Sequence, residues 1–97
     1  MKKTKLYNLD YTIAKFIYPR IKKFIKVTQS HPCNIDDYSI PREITTDWKK
    51  WKWILKQIKY AFKIIKRSNY TIITEDEEAK CNNGLRLFAK YYYHLWI

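Results

Sequence analysis

The sequence predicts an all-α fold: a small three- to four-helix bundle, one domain over residues 1–97, with one long loop at about 29–45. Three observations predict it. Apolar residues recur at spacings of three and four in three separate stretches, the period of a helix with a buried face. A capping box precedes the third stretch. Prolines and short polar side chains cluster between the first and second stretches. A chain of 97 residues supports one modest core and little more, so self-association is a natural further source of stability.

The first helix is expected from about Asp10 to Lys26, capped by Asp10 or Asn8. Ile13, Ala14, Ile17, Ile21, Phe24 and Ile25 share its inner face. Pro19 lies inside the pattern, removes a backbone donor and crowds the preceding turn. A kink, or a second helix opened by Pro19, is the expected result. The loop that follows contains Pro32, Asn34, Asp36, Asp37 and Pro41, and Ile35, Tyr38, Ile40 and Ile44 are expected to pin it. Loops of this length in so small a domain are often functional.

The second helix starts at Thr46 or Asp47 and ends at Lys66 or Arg67, with Ser68 and Asn69 as the break. Trp51, Ile54, Leu55, Ile58, Phe62 and Ile65 form one apolar face. Lys49, Lys52, Lys56, Lys59, Lys63 and Lys66 step by three and four, so they make one ridge. Trp53, Tyr60 and Ile64 align as a second apolar stripe. Two stripes predict two buried sides, one against the core and one against a loop, a second copy or a ligand. The third helix opens at Thr74, which has Glu77 at the capping-box spacing. Glu75, Asp76, Glu77 and Glu78 sit where the helix dipole favours anions. Leu85, Phe88, Ala89, Tyr92 and Trp96 are expected inside, on a helix running to Ile97. Gly84, the single glycine, is expected at a close helix crossing.

Lys and Arg total 20 against 9 Asp and Glu, a net charge of +11 that suits an anionic partner. The same usage, rich in Lys, Ile, Tyr and Asn and poor in Gly and Arg, is that of an AT-rich genome, so solvated lysines also follow from composition. Nothing approaches the ~18 apolar residues of a membrane span. The start, Met1 to Lys5, leads to no apolar leader, so Cys33 and Cys81 are expected as reduced thiols in a cytosol.

No catalytic constellation stands out. One glycine excludes a phosphate-cradling glycine loop. His31 and Cys33 are two apart on a loop, a weak basis for a nucleophile and base. A zinc site of His31, Cys33, Cys81 and His94 is unfavourable, because Cys81 and His94 would lie ~20 Å apart on one helix. No metal, no cofactor and no enzymatic activity are therefore expected. Binding is better supported, since cations for phosphate alternate with flat rings for bases. The candidate ligand-binding residues are Tyr18, Arg20 and Lys23 on the first helix and Trp53, Lys56 and Tyr60 on the second. Arg86, Lys90, Tyr91 and Tyr93 are the candidates on the third.

Three segments carry a resemblance: YTIAKFIYPRIKKF (11–24), WILKQIKYAF (53–62) and GLRLFAKYYYHLW (84–96). Together they resemble a family of small tailed-phage helical proteins with an A-x(4)-P-R motif, a tryptophan with an A-F ending, and G-L-x-L-F-x-K-Y closing on L-W. The match covers most of the chain, and its last motif is the most specific. The resemblance implies a phage accessory protein acting in the host bacterial cytoplasm. It marks Arg20, Lys90 and Tyr91 as polar positions of interest. Small helical phage proteins are often counter-defence factors, and one class forms homo-oligomers that sequester cyclic nucleotide immune signals. The leading expectation is such a sponge, with a nucleotide favoured over nucleic acid as ligand. The alternatives are a basic DNA- or RNA-binding protein and a protein-directed inhibitor of a host defence component.

Overall fold

A computed structural model describes residues 9–67 and 73–95. Three helices form: α1 (Leu9–Val27), α2 (Asp47–Arg67) and α3 (Glu75–Lys90), followed by a short 3-10 turn at Tyr92–His94. No strand occurs among the described residues. The expected break at Ser68 and Asn69, and the residues Asn8, Trp96 and Ile97, lie outside them.

α1 and α3 each pack on α2, far more than on each other. This central position explains the composition of α2. Trp51, Ile54, Leu55, Ile58 and Ala61 are fully buried, and Phe62 and Ile64 nearly so. Gly84 is buried at the α2–α3 crossing, as expected. A Cβ at this position would stand 2.6 Å from the Ala61 Cβ and closer still to the Gln57 carbonyl oxygen. The buried Cys81 thiol, one turn earlier, points at the Ala61 carbonyl oxygen at 3.6 Å. Trp53, Tyr60 and Ile64 adjoin the same edge of α2. Ile64 is buried, and Trp53 and Tyr60 are half-buried, with Trp53 packed against the core. The second apolar stripe is thus largely spent within the chain.

Several expectations need correction. Of the two outcomes expected at Pro19, the split into two helices does not occur: α1 is one continuous helix with Pro19 inside it, which sets the bundle at three helices within the expected three to four. Pro19 cannot donate to the Lys15 carbonyl. The Arg20 guanidinium donates to the next carbonyl along, Phe16 O, at 2.8 Å. Ile13 points outward, because the side of α1 that meets α2 is centred on Ala14 and Ile21. On α3 the buried line is Cys81, Gly84, Leu87 and Tyr91, while Ala89 and Tyr92 are exposed and Leu85 and Phe88 are half-buried. The smallest residue, not the largest, marks the centre of that face. α3 ends at Lys90, where the Tyr91 N–H turns back to Leu87 O and the 3-10 turn begins.

The capping box forms as expected. The Glu77 N–H donates to Thr74 Oγ1 at 3.1 Å, and the Thr74 N–H donates to Glu77 Oε1 at 3.2 Å. Arg67 pairs with the same carboxylate and, together with the Thr74 N–H, holds Glu77 below the ordinary carboxylate range. Thr46 opens α2 by accepting from the Lys49 N–H at 3.3 Å.

The loop between α1 and α2 is an ordered strap. At its start the Asp47 carboxylate accepts from the N–H groups of Asn34 and Ile35 at 3.1 and 3.2 Å, and Lys50 Nζ donates to Ile35 O. Asn34 turns through the left-handed region at φ 55°, which asparagine tolerates well. The Ile35 side chain is buried; Ile40 and Ile44 are half-buried. Tyr38, expected to pin the loop, is instead 84% exposed, its ring 4.5 Å from the Arg86 guanidinium.

Candidate anion-binding face

α1 and α2 run antiparallel. Lys52 Nζ reaches Ile25 O at 2.6 Å near one end, and Lys66 Nζ lies 5.0 Å over the Tyr18 ring near the other. Lysine, isoleucine and phenylalanine build both helices with little competing polar chemistry, so the cations fall on whichever side the core leaves open. On one side this gives a shared face. α1 contributes Lys15, Lys22 and Lys26, and α2 contributes Lys56, Lys59, Lys63 and Lys66. Lys59 is half-buried and the other six are exposed.

Two features set this face apart. The acidic residues of α1 and α2 are Asp10 and Asp47, both in first turns, and Asp47 is engaged by the loop backbone. The ion pairs recorded among the described residues involve Arg67, Lys80, Arg86 and Lys90 and none of these seven lysines. Like charges three or four residues apart each cost roughly 0.2–0.5 kcal/mol. The face accumulates several such pairs, and no carboxylate among the described residues offsets them. A bound polyanion would.

Rings accompany the cations. Tyr11, Tyr18, Lys63, Lys66 and Arg67 line a shallow groove of about 260 Å³ between the helices. Lys15 Nζ stands 5.5 Å over the Tyr11 ring. A second groove, of about 420 Å³, is lined by Pro19, Lys22, Lys23, Lys26 and Val27.

The sequence-derived candidates divide between this face and other parts of the molecule. Tyr18 and Lys56 lie on it, and Lys23 lies at its margin in the second groove. Trp53 and Tyr60 belong to the α3 side of α2. Arg20 caps the Phe16 ring, 3.7 Å above it, on another side of α1. Tyr93 is 86% exposed beyond the end of α3.

Arg86, Lys90 and Tyr91 serve the fold. Arg86 makes a two-pronged pair with Asp37 at 2.8 Å on each prong, and donates to Asn83 Oδ1 as well. Lys90 Nζ donates to Asp37 Oδ1 at 3.0 Å and to Asp36 O at 2.8 Å. The Asp37 side chain is fully buried. The Arg86 guanidinium, with Ser39 and Lys90, holds its carboxyl far below the usual range against the opposing effect of burial. Tyr91 is 7% exposed, its ring edge-on to Trp51. These cations clasp the strap to α3. Sequence reasoning leaves out Tyr11 and Arg67, and places Lys63 and Lys66 on the ridge without the tyrosines of α1 beside them. The spacing of Tyr11, Lys15, Tyr18 and Lys22 by four, three and four was the available signal.

His31 Nδ1 contacts Pro32 O at 2.8 Å and its ring tilts against Trp48, away from a partnership with Cys33. Burial pushes the Cys81 thiol upward, which disfavours the thiolate. No group of three or more His, Cys, Asp or Glu suited to a metal occurs among the described residues. No helix among them is long and apolar enough to cross a membrane.

Fold and site together define a small all-α protein with one polycationic, tyrosine-bearing face. Compared with protein-family models, with curated proteins and with solved structures, the chain finds no match.

Proposed function

We propose that this protein is a non-enzymatic binder of a phosphate-rich polyanion, and that nucleic acid fits its basic face better than a free nucleotide does. The observation that carries the reading is the set of seven lysines on α1 and α2 with no acidic partner among the described residues. Lys56 to Lys66 spans ~15 Å along α2, and Lys15 to Lys26 spans ~17 Å along α1. Two antiparallel rows of that length match a run of backbone phosphates, and the groove between them, lined by Tyr11, Tyr18, Lys63, Lys66 and Arg67, is open rather than enclosing. The order of preference therefore reverses the expectation from sequence. Arg86, Lys90 and Tyr91, three of the cations and rings that favoured a nucleotide sponge, are committed inside the fold.

Anisotropy titration of labelled single- and double-stranded oligonucleotides tests the reading. Affinity is expected to fall linearly on a log–log plot against salt, by about 0.9 per duplex phosphate contacted. Replacing Lys59, Lys63 and Lys66 together by Ala is expected to weaken binding about 100-fold and to flatten the slope by about 3. No binding at 50 mM salt, or an unchanged slope in the variant, rejects it.

A second reading keeps a specific observation in its favour. Tyr11 and Tyr18 beside Lys63 and Lys66 offer stacking and charge for one nucleotide unit. Under it the protein is a homo-oligomeric sponge for a cyclic nucleotide signal. Calorimetric titration with a panel of cyclic oligonucleotides separates the two, since only the sponge binds them stoichiometrically. The phage resemblance supports a counter-defence role in the bacterial cytoplasm under either reading.

A further inference from the structure

α1 has another exposed side that the lysine face does not use. Leu9, Ile13, Phe16, Arg20, Lys23 and Val27 step alternately by four and three, so they form one seam along the helix. Its four apolar members are between 40% and 57% exposed. Surface apolar groups are ordinary when scattered, but contiguous ones mark contact sites. The seam borders a groove of about 210 Å³ lined by Ile17, Ile21, Phe24, Phe88, Tyr92 and Leu95, with Arg20 on its rim. The groove exists because α1 and α3 both lean on α2 and leave a gap between themselves. It has the volume of one large apolar side chain.

Charge selects the occupant. Arg20 and Lys23 interrupt the seam, and Lys22 and Lys26 lie just beyond it. The only carboxylate of α1 is Asp10, at the far end. Arg20 spends one nitrogen on Phe16 O and has no carboxylate partner among the described residues. A second copy fits poorly. Antiparallel self-pairing would set Leu9 against Val27, Ile13 against Lys23 and Phe16 against Arg20. Four cations would then be buried with no carboxylate facing them, a costly arrangement. Parallel pairing would set like charges directly together.

We propose that this seam and groove dock an acidic amphipathic helix of another protein. Apolar residues of that helix at i, i+3, i+4 and i+7 lie along the seam, and one large side chain enters the groove. Flanking carboxylates meet Arg20, whose fork suits a bidentate pair, and Lys23. The surface lies on another side of α1 from the seven lysines and meets their face only at Lys23 and Val27, and its test does not depend on that reading.

The probe is a labelled 20-residue peptide with Leu and Phe at helical spacing, flanked by Glu and titrated into the full chain. A scrambled peptide of equal composition is the control for charge alone. The designed peptide is expected to bind at least about 10-fold more tightly than the scrambled one. Phe16→Ser and Tyr92→Ser are each expected to weaken it about 10-fold, and Arg20→Gln several-fold. All three positions are exposed, so unchanged circular dichroism verifies folding. The Lys59, Lys63 and Lys66 triple variant is expected to bind the designed peptide within about 2-fold of wild type. Equal binding of the scrambled peptide, or indifference to Phe16→Ser, overturns the proposal. So does a wild-type dimer in sedimentation that Phe16→Ser dissociates, because the occupant is then a second copy.

Discussion

Asp37→Asn is expected to cost about 2–3 kcal/mol of stability at pH 7, measured by urea unfolding. Removing one partner of a buried ion pair typically costs ~3–5 kcal/mol. The lower figure applies because the Arg86 and Lys90 side chains are 34% and 41% exposed and stay partly hydrated. The amide keeps the shape but loses the charge that both cations share. The pH dependence has a definite sign. The native carboxyl titrates well below its unfolded value of about 3.9. Its stabilisation is therefore complete above that value and is lost as pH falls below it. Wild type and Asp37→Asn are expected to differ most at neutral pH and to draw together progressively as pH falls below about 4. A gap that stays constant down to pH 2 contradicts the clasp.

Gly84→Val is expected to be more damaging, about 3–4 kcal/mol or outright failure to fold. Overpacking a tight contact typically costs 1–3 kcal/mol, and here the obstacle is the backbone of α2 at Gln57 as well as the Ala61 side chain. A carbonyl cannot rotate aside as a side-chain tip can, so the two helices must separate. Gly84→Ala gains ~1 kcal/mol of helix propensity and still meets Gln57 O, so a net loss remains. Ala61→Gly in the Gly84→Ala background is expected to recover part of that loss. Full recovery would mean that the Gln57 carbonyl imposes nothing.

What the sequence disclosed and what it concealed follow from the range of the interactions. The three helices, the Thr74–Glu77 box and the tight crossing at Gly84 are local or nearly local facts. Period, cap and a lone glycine report them directly. The phase of α3 escapes the pattern because Leu85, Phe88 and Tyr92, the bulky residues, dominate it. The crossing is centred on Gly84 and Cys81, where bulk is what the packing excludes. In the sequence Asp37 is one of several loop polars. Its burial depends on Arg86, 49 residues away, and no local pattern signals such a pair. The same pair removed Arg86 and Lys90 from the candidate site. Lys63 and Lys66 were visible as a ridge. Their association with Tyr11 and Tyr18 required the antiparallel register of α1 on α2, which periodicity alone does not supply.

The central placement of α2 has a further consequence for motion. Each flanking helix is attached to the same spine and hardly to the other, so either can open without the other following. Amide hydrogens of α2 then exchange chiefly through global unfolding, while α1 and α3 each have a cheaper route through partial opening. The strap, tied to α2 by Asp47 and to α3 by Arg86, makes α3 the slower of the two to open. α1, whose seam and lysines carry both proposed contacts, is the element left most at liberty to adjust to what it meets.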